Sequence, residues 1–140
     1  MRKEDCIFCK IAAGEIPSTT IYEDDVVKCI LDLSQAGVGH TLVIPKKHFA
    51  NVLEIDADTF GYAMKIAKKI AEALKKTFNC DGINILNNCG EAAGQTVFHL
   101  HIHVIPRFNN DTVDIKWVDH SDKFDPKNFE ELKNKIVSNL

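Results

Sequence analysis

The stretch "FHLHIHVIP" (residues 98–106) places histidines at 99, 101 and 103, with Leu100, Ile102 and Val104 between them. Side chains of a strand alternate between its two faces, so residues i, i+2 and i+4 share one. The spacing predicts a strand over residues 97–105. His99, His101 and His103 would line one face over roughly 13 Å, and Leu100, Ile102 and Val104 would pack into a core on the other. A histidine is costly to bury unless its ring nitrogens find partners, so such a row points to chemistry rather than packing.

Outward from this strand the pattern alternates between two periods. The segment "TTIYEDDVVKCILDL" (19–33) reads as two strands around an Asp24-Asp25 turn. "HTLVIPKKH" (40–48) begins as a strand and stops at Pro45, which has no N–H to give a ladder. From Asp58 to Phe78 the apolar residues Phe60, Met64, Ala67, Ala71, Leu74 and Phe78 recur at three- and four-residue steps among lysines. That is an amphipathic helix capped by Asp56 or Asp58. "GINILNN" (82–88) is a strand and "CGEAAGQT" (89–96) a loop. Asp125-Pro126 starts a C-terminal helix whose apolar side is Phe129, Leu132, Ile136 and Val137. The strand connections are short, which favours antiparallel pairing. The expected fold is α+β: one mainly antiparallel sheet of about five strands, with the long helix on one face. Leu100, Ile102 and Val104 should face that helix, with the histidines turned away.

At 140 residues the chain is expected to be a single domain, 1–140. A charged share of 26% and a net charge of −3 give no electrostatic case for nucleic-acid or membrane binding. No apolar run approaches the roughly 20 residues of a bilayer span, and no signal-peptide pattern opens the chain. Five cysteines is an odd number, so thiols or metal ligands are expected rather than a disulfide framework, in a cytoplasmic protein.

Cys6-x-x-Cys9 has metal-knuckle spacing when further ligands exist elsewhere. A redox pair or two inert thiols are the competing readings. A four-ligand shell needs two more residues, and His48 and His99 are the best placed in sequence. Cys29 and Cys80 are expected to be core or near-surface thiols. His101 and His103 admit three readings: ligands of a catalytic zinc shared with His99, a phosphate site with one nucleophile and one donor, or a polar face without chemistry. The loop just before them favours the second. Its glycines let backbone N–H groups form an anion nest, and Gln95 and Thr96 add donors. His40 reaches the same face if its strand neighbours the histidine strand. Asp32 can accept from the paired hydroxyls of a ribose.

These blocks together resemble the histidine triad (HIT) family. "HLHIHVI" fits the His-φ-His-φ-His-φ-φ motif. "CIFCKIAAGEIPSTTIYEDD", "GHTLVIPKKH" and "NNCGEAAGQTVFHLHIHVIPR" are similar to the conserved blocks of its bacterial, Hint-like branch. The resemblance covers residues 1–107 and leaves 108–140 as a C-terminal extension. It implies the HIT fold, a homodimer, and a nucleotide hydrolase or transferase. The substrate would be a purine nucleoside phosphoramidate, adenosine or guanosine, or a dinucleoside polyphosphate. His101 would be the nucleophile that forms a nucleotidyl-histidine at the α-phosphate. His103 would serve as phosphate and leaving-group partner, and His40 would support both. Asp32 and Leu33 would contact ribose and base. Asn88, Gly94, Gln95, Thr96 and Val97 would cradle the phosphate. A structural Zn²⁺ would sit on Cys6, Cys9, His48 and His99. Two other classes stand beside this: a zinc metallohydrolase with its metal on the histidine row, and a non-catalytic nucleotide-binding regulatory protein. The Hint-like members best at phosphoramidates end in a short Trp-containing tail after the triad strand, whereas here about thirty residues follow it, including Trp117 and a helix. "DIKWVD" (114–119) would either reach a neighbouring subunit's site or cover the sheet.

Overall fold

A computed structural model describes residues 2–140. The elements run α1 (Ile7–Ala12), β1 (Thr20–Glu23), β2 (Val27–Leu31), β3 (Thr41–Pro45), α2 (Ala57–Phe78), β4 (Gly82–Leu86), β5 (Ile102–Arg107) and α3 (Pro126–Val137). The five strands form one sheet in the order β1-β2-β3-β5-β4, and every neighbouring pair is antiparallel. The fold class is α+β, as the alternating periods predict.

α2 forms because Asp56 caps its start, accepting from the Thr59 N–H at 2.9 Å. It ends where Asn79 turns left-handed at φ 48° and donates to the Lys75 carbonyl. Ala63, Ile66, Ala67, Ile70 and Leu74 pack on Val27, Cys29, Val43, Leu100, Ile102 and Val104 of the sheet. Full burial of each large aliphatic there contributes about 1.5–3 kcal/mol. The opposite sheet face carries a smaller core of Ile30, Leu42 and Ile44 under Phe8 and Ile11. That second face holds the histidines. The turn between β1 and β2 is tied to α2 by Asp24, which accepts from the hydroxyls of Tyr22 at 2.8 Å and Tyr62 at 2.7 Å and from the Val26 and Val27 N–H groups. Burial pushes its carboxyl up, but these donors outweigh burial and hold it down at about 2.

Two expectations are corrected here. The histidine strand does not span 97–105: pairing begins at Ile102, so His99 and His101 precede the ladder. The β3–β5 register would set Leu100 opposite Pro45, which has no N–H for the Leu100 carbonyl and whose own carbonyl accepts from the His99 ring. The Leu100 N–H donates instead to the Phe49 carbonyl at 2.7 Å. The segment "DIKWVD" does not cover the sheet: Trp117 is 84% exposed, with Ile115 and Val118 exposed beside it. Arg107 marks the point of departure, holding Asp111, Asn84 and the Val113 carbonyl. Beyond it the chain leaves the body, and α3 has no buried residue. No helix among the described residues is long and apolar enough to cross a membrane.

Candidate functional site

The three histidines serve two different places. His99 turns its Nδ1 toward the two cysteines. Cys6 is the N-cap of α1 and Cys9 lies in its first turn, so the helix brings both sulfurs to one end. His48, just past β3, completes a quartet. The Cys6 Sγ lies 3.4 Å from His99 Nδ1, and the Cys9 Sγ lies 3.4 Å from His48 Nδ1 and 3.5 Å from His99 Nδ1. The two Nδ1 atoms are 3.2 Å apart. A tetrahedral zinc with ordinary Zn–S and Zn–N lengths requires about 3.6 Å between sulfur and nitrogen and about 3.3 Å between nitrogens. The four ligand atoms therefore fit one zinc. The His99 Nε2–H donates to the Pro45 carbonyl at 2.7 Å, which leaves the Nδ1 lone pair for a metal. Burial pushes His99 down to about 4, so the ring is a neutral ligand at ordinary pH.

His101 points elsewhere. Its Nδ1–H donates to the His99 carbonyl at 2.7 Å, which fixes the tautomer and leaves Nε2 with a free lone pair. Among the described residues no buried side-chain nitrogen lacks a hydrogen-bond partner, so this unbonded Nε2 opens to the cavity that His101 lines. Phe8 stands edge-on to the ring, centroids 4.9 Å apart at 85°.

His103 and His40 form a second fixed pair. The Ala36 N–H donates to His40 Nδ1 at 3.1 Å. In the neutral ring the proton is then on Nε2, which donates to His103 Nδ1 at 2.9 Å. His103 therefore carries its own proton on Nε2. Burial pushes His40 down against the pull of Asp32, whose Oδ2 is 3.6 Å from His40 Nε2. Burial and the neighbouring His101 and His40 push His103 down to about 4. Asp32, His40 and His103 are close enough to share a cation. That would need an Nε2 lone pair on His40, which the Ala36 N–H denies to the neutral ring. Among the described residues no ligand cluster joins His99, His101 and His103.

His101, His103 and Asp32 face a cavity of about 370 Å³. One wall is apolar: Ile7, Phe8, Ile11, Ile16 and Ile30. Asp32, Leu33 and Ser34 stand at another side, and Asn88, Gly94, Thr96, Val97, His101 and His103 complete the lining. Gly90 and Gly94 hold left-handed φ of 85° and 88°. Two expected residues lie outside the lining. His40 is behind His103. Gln95 is buried, with its amide accepting from the Gly90 N–H and donating to the Ala50 and Val97 carbonyls, so it braces the loop. The apolar wall is not marked by any motif, although Phe8 sits inside the Cys6-x-x-Cys9 spacing. Gln35 was also missed. It donates to the Asp32 and His40 carbonyls and accepts from the Gly39 N–H, stapling the turn that presents Ala36. Nothing in its local pattern marks it.

The arrangement offers a bare imidazole nitrogen beside an imidazole N–H, in a cavity with one apolar and one polar side. A family profile described as "HIT domain" matches residues 13–110. The chain is 45% identical over 138 residues to "Protein hit" of Bacillus subtilis, covering 98% of this chain and 95% of that one. It is 42% identical over 109 residues to "Adenylylsulfatase HINT3" of Arabidopsis thaliana, covering 78% of this chain and 55% of that one. A crystal structure of a HIT family member from Bacillus subtilis superposes with TM-score 0.93 at 45% identity, covering 98% of each chain. A HIT family protein from Bacillus anthracis superposes with TM-score 0.92 at 41% identity, again covering 98% of each. A zinc-bound histidine triad family protein from Mycobacterium smegmatis superposes with TM-score 0.76 at 38% identity, covering 90% of this chain and 86% of that one.

Proposed function

The chain belongs to the histidine triad (HIT) family, and on that premise we propose that it is a nucleotide hydrolase or transferase that works through a covalent nucleotidyl-His101. The carrying observation is the fixed tautomer of His101: with Nδ1–H bound to the His99 carbonyl, the lone pair on Nε2 is available beside the cavity. The substrate is a purine nucleoside phosphoramidate or a dinucleoside polyphosphate. Its base lies against the apolar wall of Ile7, Phe8 and Ile11. Its ribose hydroxyls donate to Asp32. Its α-phosphate meets Thr96 and the glycine-turned backbone of the preceding loop.

His101 Nε2 attacks the α-phosphorus, and the bond to the leaving group breaks. The His103 Nε2–H donates a hydrogen bond to the departing atom, and the leaving amine or phosphate takes its proton from water. Water then attacks the same phosphorus and gives up a proton to solvent, the phosphorus–nitrogen bond breaks with its electron pair returning to His101 Nε2, and the nucleoside monophosphate is released. His40 keeps His103 in its donating tautomer. The relative named as an adenylylsulfatase supports a reaction at a nucleotide's phosphate.

We read the quartet Cys6, Cys9, His48 and His99 as the holder of a structural Zn²⁺, supported by the ligand spacing and by the zinc-bound relative. When bound, the metal pins α1 to the segment before β5. Phe8 lies between the two cysteines, so the cavity wall is pinned with them. The chain is further read as a cytoplasmic homodimer. The unpaired outer edge of β4, which carries the exposed Ile85, supports association of copies. A rapid-quench time course with adenosine 5′-phosphoramidate tests the reading. Wild type releases AMP catalytically and His101→Ala loses at least about 10³-fold in kcat. An alanine variant that turns over at the wild-type rate overturns it.

A further inference from the structure

α3 is built as a helix that expects a partner. Asp125 and Asn128 close a reciprocal capping box, and Pro126 opens the first turn. Phe129, Leu132, Ile136 and Val137 then fall along one side, with Lys127, Glu131 and Asn134 opposite. Yet no residue of α3 is buried, and Phe129 and Ile136 are 58% and 61% exposed. An isolated helix of 12 residues is marginal in water. A contiguous apolar strip on a protein surface marks an interaction site.

The placement of this segment is nevertheless reproduced. If residues 111–140 lay elsewhere in the two Bacillus crystal structures, the remaining 110 of 140 residues could not raise the score above the fraction they make up, about 0.79. The observed 0.92 and 0.93 require the tail to superpose as well. α3 buries no residue against its own chain, so packing within the chain does not account for the shared position; what both crystals hold in common beside it is a further copy of the same chain.

We propose that residues 113–140 form an arm that clasps a second copy of this chain, with the Phe129, Leu132, Ile136 and Val137 side of α3 seated on it. In a two-fold pair each copy gives one arm and receives one. The polar side of α3 faces solvent, and the mode is a helix laid on an apolar surface. This rests on the homodimer read above and not on the reaction.

The experiment is photo-crosslinking of the full-length protein carrying Phe129→p-benzoylphenylalanine or, as a control on the opposite side of α3, Glu131→p-benzoylphenylalanine. Sedimentation of the same samples is run alongside. The arm predicts a product of twice the chain mass from the probe at 129, at least about fivefold more than from 131. A sedimenting dimer with only single-chain product, or with equal product from both probes, overturns the arm and leaves the homodimer standing. A sedimenting monomer overturns both.

Discussion

The Nδ1–H of His101 donates to the carbonyl of His99, two residues earlier, at 2.7 Å. One residue thus acts on both sides of the division. The ring of His99 joins the Cys6, Cys9 and His48 quartet, and its backbone sets the tautomer of the ring that faces the cavity. A defect in the quartet is therefore expected to reach the cavity.

Replacing Cys9 by Ser is expected to cut bound zinc from about one per chain to a small fraction, because a tetrahedral site loses a thiolate. The melting temperature should fall by about 5–10 °C. Metal analysis after gel filtration and a thermal melt check this. His103→Asn should keep its zinc, because His103 lies outside the quartet.

The folded state holds His103 near 4 against an ordinary value near 6.5, through burial and the neighbouring His101 and His40. Below pH 6.5 the unfolded chain takes up a proton that the folded chain refuses. The contribution is fully present above 6.5 and is lost as pH falls from 6.5 toward 4. Between pH 7 and 4.5 the wild type should lose roughly 2 kcal/mol more stability than His103→Asn. Urea unfolding of both proteins across that range measures the difference.

Gly39→Ala should destabilise by roughly 2–3 kcal/mol. Gly39 holds φ +87°, and a Cβ there would lie 2.5 Å from Phe78 Cε2 and 3.2 Å from Leu74 Cδ2. The neighbouring residue is His40, so the strain also reaches the His40–His103 bond. Denaturant titration gives the first effect. Loss of kcat beyond any change in KM gives the second.

Much of this fold is legible in the chain. The two-residue alternation of Leu100, Ile102 and Val104 assigns the buried face, and the steps from Phe60 to Phe78 assign the helix that covers it. The start of β5 is not legible, because it depends on which residue lies across from Leu100, and Pro45, without an N–H and with its carbonyl taken by the His99 ring, acts only through that pairing. The quartet is legible in its members, Cys6 and Cys9 by spacing and His48 and His99 as the best-placed further ligands, while the distances that bring them together appear only once the segments after β3 and before β5 lie side by side. The bond from Ala36 to His40 belongs to a backbone N–H and leaves no trace in residue type. The apolar side of α3 is plain in the sequence, but apolar pattern predicts burial without saying against what, and the body of this chain does not supply it.

Covalent catalysis by His101 requires the nucleotide to become attached to that ring. Acid-quenching the enzyme within the first turnover of labelled adenosine 5′-phosphoramidate, followed by peptide mapping under conditions that spare the phosphorus–nitrogen bond, should find the adenylyl group on His101. The His103→Asn variant should accumulate or form that adduct at an altered rate on the same residue. Label on His103 or His40, or full turnover with no adduct on His101 at any quench time, would contradict it.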